Sequence, residues 1–226
     1  MKIEFDEKEG KLFEEIIGLY SISKDIMIYA EEVGGESFSP ATEEFRHAFD
    51  HLMRVFAFKL GVKQADAKYA IENLMPAYRH LYRAAYNLLD YLSIFFRDKV
   101  QDEMKSFSGE TLQEIFPEYY KEIKPYFVVE APTEISKLRS EKDIGKRNKN
   151  DLNKYTEIVG RFKTYYDEII KIKPSLIEYE DEKKKKQAKD EDEKRKNRLL
   201  QILIPVITAI VGAVIGAVIG WMLSIS

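Results

Sequence analysis

Cysteine is absent from the 226 residues, which excludes disulfides, Cys-ligated zinc and thiol nucleophiles and accords with a reducing compartment without fixing one. Net charge is also scarce: a formal −3 gives no global field toward nucleic acid, so any basic attraction must be local. G-x-G-x-x-G, G-x4-G-K-[ST] and G-x-S-x-G are all missing. Nucleotide cofactors and serine-hydrolase chemistry therefore have no support, and no cofactor is assigned. The opening "MKIEFDEKEG" is acidic and lacks a basic region followed by an apolar run, so no secretory signal is expected. Nothing repeats at a solenoid period. What is present is a 45% hydrophobic and 12% aromatic content, enough to bury the core of one or two domains.

Charge is missing from one long stretch as well. Leu199 to Leu223, "LLQILIPVITAIVGAVIGAVIGWML", is 25 residues without a charge. At ~1.5 Å per residue it reaches roughly 37 Å, enough to cross a ~30 Å hydrocarbon core with tilt. The alternative, a buried core helix, is rarely so long or so uniformly apolar. The stretch reads as a single-pass span. Lys194, Arg195, Lys196 and Arg198 precede it and no basic residue follows. The positive-inside rule then puts the N-terminal part in the cytoplasm of a tail-anchored protein whose first partner is the lipid bilayer. Gly212, Gly216 and Gly220 form two overlapping G-x3-G units, a groove that favours close helix association in lipid and so a homo-oligomer; a monomeric anchor stays open, since glycine is common in membrane helices. Only Gln201 and Thr208 are polar near the cytoplasmic half, and no wide aqueous channel is implied.

Elsewhere the periodicity is helical. Apolar residues from Leu12 to Tyr29 keep helical spacing until "VGGES"; a second helix starts with Ser39 as N-cap and Pro40 just inside and runs to about Leu60. A long helix from about Val62 to Lys105, kinked at Pro76, is closed by "SFSG". Shorter helices are expected over Glu110–Lys124, Thr133–Lys149 and Asp151–Lys171. "KPYFVVEAP" is the one stretch that could be extended, being β-branched, aromatic and bounded by prolines, and is too little for a sheet. Residues 178–198 look disordered by composition. Six acid-to-base pairs at i,i+4, from Glu180–Lys184 to Asp192–Lys196, instead favour a charged helix over a flexible linker.

Two segments collect the histidines. In "EEFRHAFDHLMRVF" (43–56), a wheel at about 100° per residue puts Phe45, Phe49, Leu52, Met53, Phe56 and Leu60 on a core face and His47, His51, Arg54 and Phe58 opposite. Val55 lies nearer the edge. Such a face is either a second buried surface or a solvated one with a stray phenylalanine. In "AYRHLYRAAYNLLDYL" (77–92), His80, Arg83, Asn87 and Tyr91 share a polar stripe, while Leu81, Ala85, Leu88, Leu92 and Phe95 face a core. His47 and His51 at i,i+4 could share a zinc ion with His80 or Asp50, but no H-E-x-x-H glutamate or cysteine accompanies them, and no metal is assigned.

"RHAFDH" (46–51) resembles the R-[NHD]-x3-H form of the motif of HEPN domains, the compact helical domains of many prokaryotic toxins and antiviral ribonucleases. The resemblance implies two protomers joining motif helices into a metal-independent RNA-cleaving site, with Arg46 on the scissile phosphate and His51 managing protons beside His47. It departs from the family in placing the motif on the second helix rather than a late one. Independently, cleavage through a 2′-hydroxyl needs a proton acceptor, a proton donor and positive charge on phosphate, which imidazole and guanidinium supply.

The sequence thus predicts an all-α, HEPN-like bundle over residues 1–174, a charged stalk helix at 175–198, a transmembrane helix at 199–223 and a short tail at 224–226. Domain plus anchor resembles membrane-associated effectors of prokaryotic antiviral defence, including the small HEPN-like membrane protein that accompanies some RNA-targeting CRISPR systems. That implies RNA as a ligand and a defence-system protein as a partner. Two functions lead from the sequence, an endoribonuclease or a non-enzymatic effector that perturbs or perforates the membrane, and a tethered binding module or scaffold stays open.

Overall fold

The computed structural model describes residues 3–142 and 149–224 and is all-helical, with no strand among them. Six α-helices follow in order: α1 Glu7–Gly34, α2 Ser39–Lys59, α3 Tyr69–Met104, α4 Gly109–Ile115, α5 Ala131–Lys142 and α6 Lys149–Ser224. The central helix is α3, which packs against α1, α2 and α6. Its inner face is an almost unbroken buried line that includes Leu74, Leu81, Leu88, Leu92 and Phe96, as the 3.6-residue period requires.

Local chemistry sets the helix ends. Asp6 accepts from Glu9 N, and the Glu9 carboxylate reaches back to Asp6 N, a complete capping box for α1. The same Glu9 carboxylate is buried against Lys59 at 2.5 Å, pinning the start of α1 to the end of α2. At the other end of α1, Gly35 adopts φ 72°, which side chains with a Cβ resist. A Cβ on Gly34 would fall 2.1 Å from the Tyr91 hydroxyl, so "VGGES" both ends the helix and admits a tyrosine from α3. The cap of α2 is Phe38, one residue before the expected Ser39, and Pro40 occupies the first turn. The third helix begins at Tyr69 rather than Val62. Gly61 turns the chain at φ 74°, and the Asp66 carboxylate accepts from Lys68 N, holding 60–68 in a turn. Pro76 lies within α3, which runs on past it to Met104.

The expected helix over 110–124 and the candidate extended stretch are both corrected. α4 stops at Ile115, and Tyr119–Ile123 and Tyr126–Glu130 are two π-helical turns in which Lys124 N and Ala131 N donate five residues back. Pro125 has no N–H to continue an α-helical ladder. Phe127 stacks on Phe162 at 4.4 Å and Tyr126 meets Phe162 edge-on at 5.6 Å, so ring packing overrides β propensity. The part of the fifth expected helix at 143–148 lies outside the described residues.

The last helix, α6, is 76 residues long, on the order of 110 Å. Its first third packs on α3, tied by Tyr155, whose hydroxyl donates to Asp90 at 2.5 Å beside the Arg139–Asp90 ion pair. Packing continues past residue 174: Leu176 is buried, and Glu180 accepts from Ser108 N at 3.0 Å and from the Thr111 hydroxyl at 2.6 Å. Those hydrogen bonds hold the Glu180 carboxyl down at about 2. Lys183 pairs with Glu110 on the same short helix. Residues 184–200 are exposed. The charged segment is continuous helix, yet none of the six i,i+4 pairs closes to an ion pair among the described residues, and Glu180 points to α4 instead. Helix-forming Glu, Lys and Ala between two helical flanks suffice. The end of α6 is long and apolar enough to cross a membrane by length and composition, and none of its most apolar window is buried.

Candidate functional site

The site is built on the two flanks of α2. Its fully buried residues are Ala41, Ala48 and Val55, seven apart and therefore on one line. That line is turned from the hydrophobic face expected of the wheel. Phe49 is 61% and Met53 42% exposed, Phe45, Leu52, Phe56 and Leu60 are half-buried, and Val55 is wholly inside. The reason is that α2 has two neighbours. Small alanines let it settle on α3, and the larger side chains splay to either side, reaching α1 only through their ends. Toward α1, Phe13 meets Phe56 and Tyr20 meets Phe45, both edge-on, at 6.0 and 5.9 Å. Toward α3, Phe58 packs on Tyr69 at 5.6 Å, so it is not a stray surface ring.

The α3 flank joins the two histidine segments. His47 and His51 from α2 both stack on His80 of α3, with ring centroids 5.1 and 5.5 Å apart and planes within 27° and 25°. All three histidines of the chain thus meet at one partly exposed place. Glu44, a turn before His47, brings its Oε2 to 2.6 Å from His80 Nδ1 and accepts from Arg83 Nε at 3.1 Å. Arg83 Nη2 lies 2.7 Å from the same Nδ1. That nitrogen can carry a proton toward Glu44 or accept one from Arg83, not both, so the tautomer of His80 is coupled to its two charged neighbours. Burial lowers the pKa of His80, opposed by the hydrogen bond to Glu44 and reinforced by Arg83.

His51 is oriented from the opposite side. Asn73, buried at 7% exposure, donates through Nδ2 to Tyr69 O at 2.9 Å, which turns its Oδ1 toward His51 Nδ1 at 3.1 Å. An amide oxygen can only accept, so Nδ1 carries the proton and Nε2 is left as a base. Neither Asn73 nor Glu44 was singled out by sequence. The available signal was spacing: each stands seven residues before a histidine, Asn73 before His80 and Glu44 before His51, and so on the same stripe two turns earlier.

Other expected site residues fall elsewhere. Arg46 is five residues from His51, about 140° around the helix, and lines the apolar groove between α1 and α2. Arg54 pairs with Asp50 at 2.6 Å on the outer surface. Asn87 takes no part in the cluster's hydrogen bonds, and Tyr91 packs on Phe38 at 4.9 Å. No three His, Asp or Glu side chains among the described residues are arranged to hold a metal ion. Gly212, Gly216 and Gly220 lie along distal α6, with nothing within 4 Å of where a Cβ would stand. Comparison with protein-family models, curated proteins and solved structures finds no match to this chain.

Proposed function

We propose that the protein is a membrane-tethered, HEPN-like effector, acting in antiviral defence beside a defence-system partner, whose histidine cluster cleaves RNA without a metal. The observation that carries this reading is the convergence of His47, His51 and His80 with Arg83 at one accessible place. His51, with Nδ1 held by Asn73, takes the proton of a ribose 2′-hydroxyl through Nε2. The 2′-oxygen bonds to phosphorus, the bond to the 5′-oxygen breaks, and a protonated neighbouring imidazole, that of His47, gives its proton to the leaving oxygen. Arg83 faces the phosphate charge within one protomer. Arg46 faces the α1 flank, away from the cluster, and has no step in this mechanism. The charge-free end of α6 and the basic residues before it support a single-pass anchor with the helical domain in the cytoplasm.

RNA incubated with full-length protein in EDTA tests the reading: wild type cleaves, and His51→Ala falls by about 10²- to 10⁴-fold. Equal cleavage by both removes it. A second reading, a non-enzymatic membrane-perturbing oligomer, is favoured by the unfilled Gly212, Gly216 and Gly220 stripe on an uncovered apolar helix. It predicts leakage of liposomes by wild type and by His51→Ala alike, and loss of leakage in Gly216→Leu.

A further inference from the structure

The α1 flank of α2 holds a groove of about 610 Å³, inside the size range of small-ligand sites. Its walls are apolar, among them Phe13, Ile17, Phe49 and Leu52, and its only charged lining residues are Lys24 and Arg46. Neither of the two cations closes a hydrogen bond or ion pair among the described residues. Both are exposed, so the apolar groove carries two solvated cations at its rim. The charge is also graded along the groove. α1 and α2 run antiparallel, with Phe13 against Phe56 and Tyr20 against Phe45. Lys24 and Arg46 therefore share the Tyr20–Phe45 end, and the Phe13 end is purely apolar. From Phe13 to Lys24 is ~16 Å along α1.

We propose that this groove binds a single-chain amphiphile with an anionic head, a free fatty carboxylate, with its head between Lys24 and Arg46 and its tail toward Phe13. A chain of methylenes asks for no hydrogen bonds from such walls, and one anion satisfies both cations. Nucleic acid would use the cations and leave the apolar wall wet. A second copy docked by the same face about a two-fold axis would bring the cationic end of one groove to the apolar end of the other and leave both cations without an anion. The inference does not depend on the RNA-cleavage reading.

Full-length protein in phosphatidylcholine nanodiscs, irradiated with a diazirine-bearing palmitate, tests it by where the label lands. Label is expected on the Ile17–Tyr20 and Phe45–Leu52 segments, with several-fold less from a diazirine hexadecyl-trimethylammonium or a diazirine lysophosphatidylcholine. Lys24→Glu and Arg46→Glu each reduce labelling a few-fold, and together by roughly tenfold or more. Lys24→Arg and Arg46→Lys keep it, which separates charge from folding. Three results overturn the proposal: equal labelling by the cationic probe, label confined to Leu199–Leu223, or ready disulfide cross-linking of Phe49→Cys copies. The last would mean that a second copy fills the groove, and it is a clean readout in a chain without cysteine.

Discussion

The two flanks of α2 carry opposite kinds of surface on one helix. Toward α3, polar groups dominate and are satisfied: His51 by Asn73, His80 by Glu44, and Arg83 by Glu44. Toward α1, rings and aliphatic chains dominate, and two exposed cations close no ion pair among the described residues. A helix that packs closely on α3 and touches α1 only through long side chains is not described by one core face and one water face. Each flank has its own partner and its own chemistry, and the buried line between them, Ala41, Ala48 and Val55, is marked by small size rather than by hydrophobicity.

Substitutions on and off that buried line should differ most in stability. Val55→Asp, placing an unpaired charge at a position with no exposure, is expected to cost about 4 kcal/mol or more. Phe49→Asp, at 61% exposure, costs about 0.5 kcal/mol or less. Urea unfolding followed by circular dichroism reads both, and equal losses would restore the wheel's original face. Next in size, Ala48→Leu crowds α2 against its neighbours and costs about 1–3 kcal/mol.

On the polar flank, Asn73→Ala leaves His51 Nδ1 without its acceptor and is expected to cost about 1–2 kcal/mol, with a changed tautomer visible in the ¹⁵N shifts of the His51 ring. An unaltered ring spectrum would mean that Asn73 does not orient it. The smallest effect concerns pH. Burial holds His80 neutral below its ordinary pKa of 6.5, so the unfolded chain takes up the proton first as pH falls. The associated stability is full above pH 6.5 and is lost as pH drops toward the lower folded value. His80→Gln should flatten that part of the stability–pH curve, and an unchanged curve would contradict the assignment.

Much of the helical framework was legible because period, caps and glycines act locally: α2 and the end of α3 fall within a residue or two of expectation, and Gly34–Gly35 stop α1 as "VGGES" implies. The rotation of α2 was not legible. A hydrophobicity wheel adds side chains as if one neighbour received them, whereas Phe45 and Phe58 go to different helices. The π-helical turns at 119–130 were missed for a related reason, since only the Tyr126–Phe127–Phe162 ring packing selects them. For the site, sequence supplied the histidines and Arg83 as two separate stripes. Their meeting depends on how α2 lies against α3, which no pattern within either helix records. Arg46, tied to His51 by a six-residue motif, faces the other flank.

The polar flank carries one chemical expectation, that His51 as base and His47 as acid act as one unit on RNA. Cleavage in EDTA by full-length His51→Ala, His47→Ala and the double variant is the decisive measurement, with circular dichroism as the control for folding. Groups that act as a unit are non-additive, so the double variant is expected to be no slower than the worse single variant, both far below wild type. Cleavage at the wild-type rate in either single variant, or losses that multiply in the double, would contradict it.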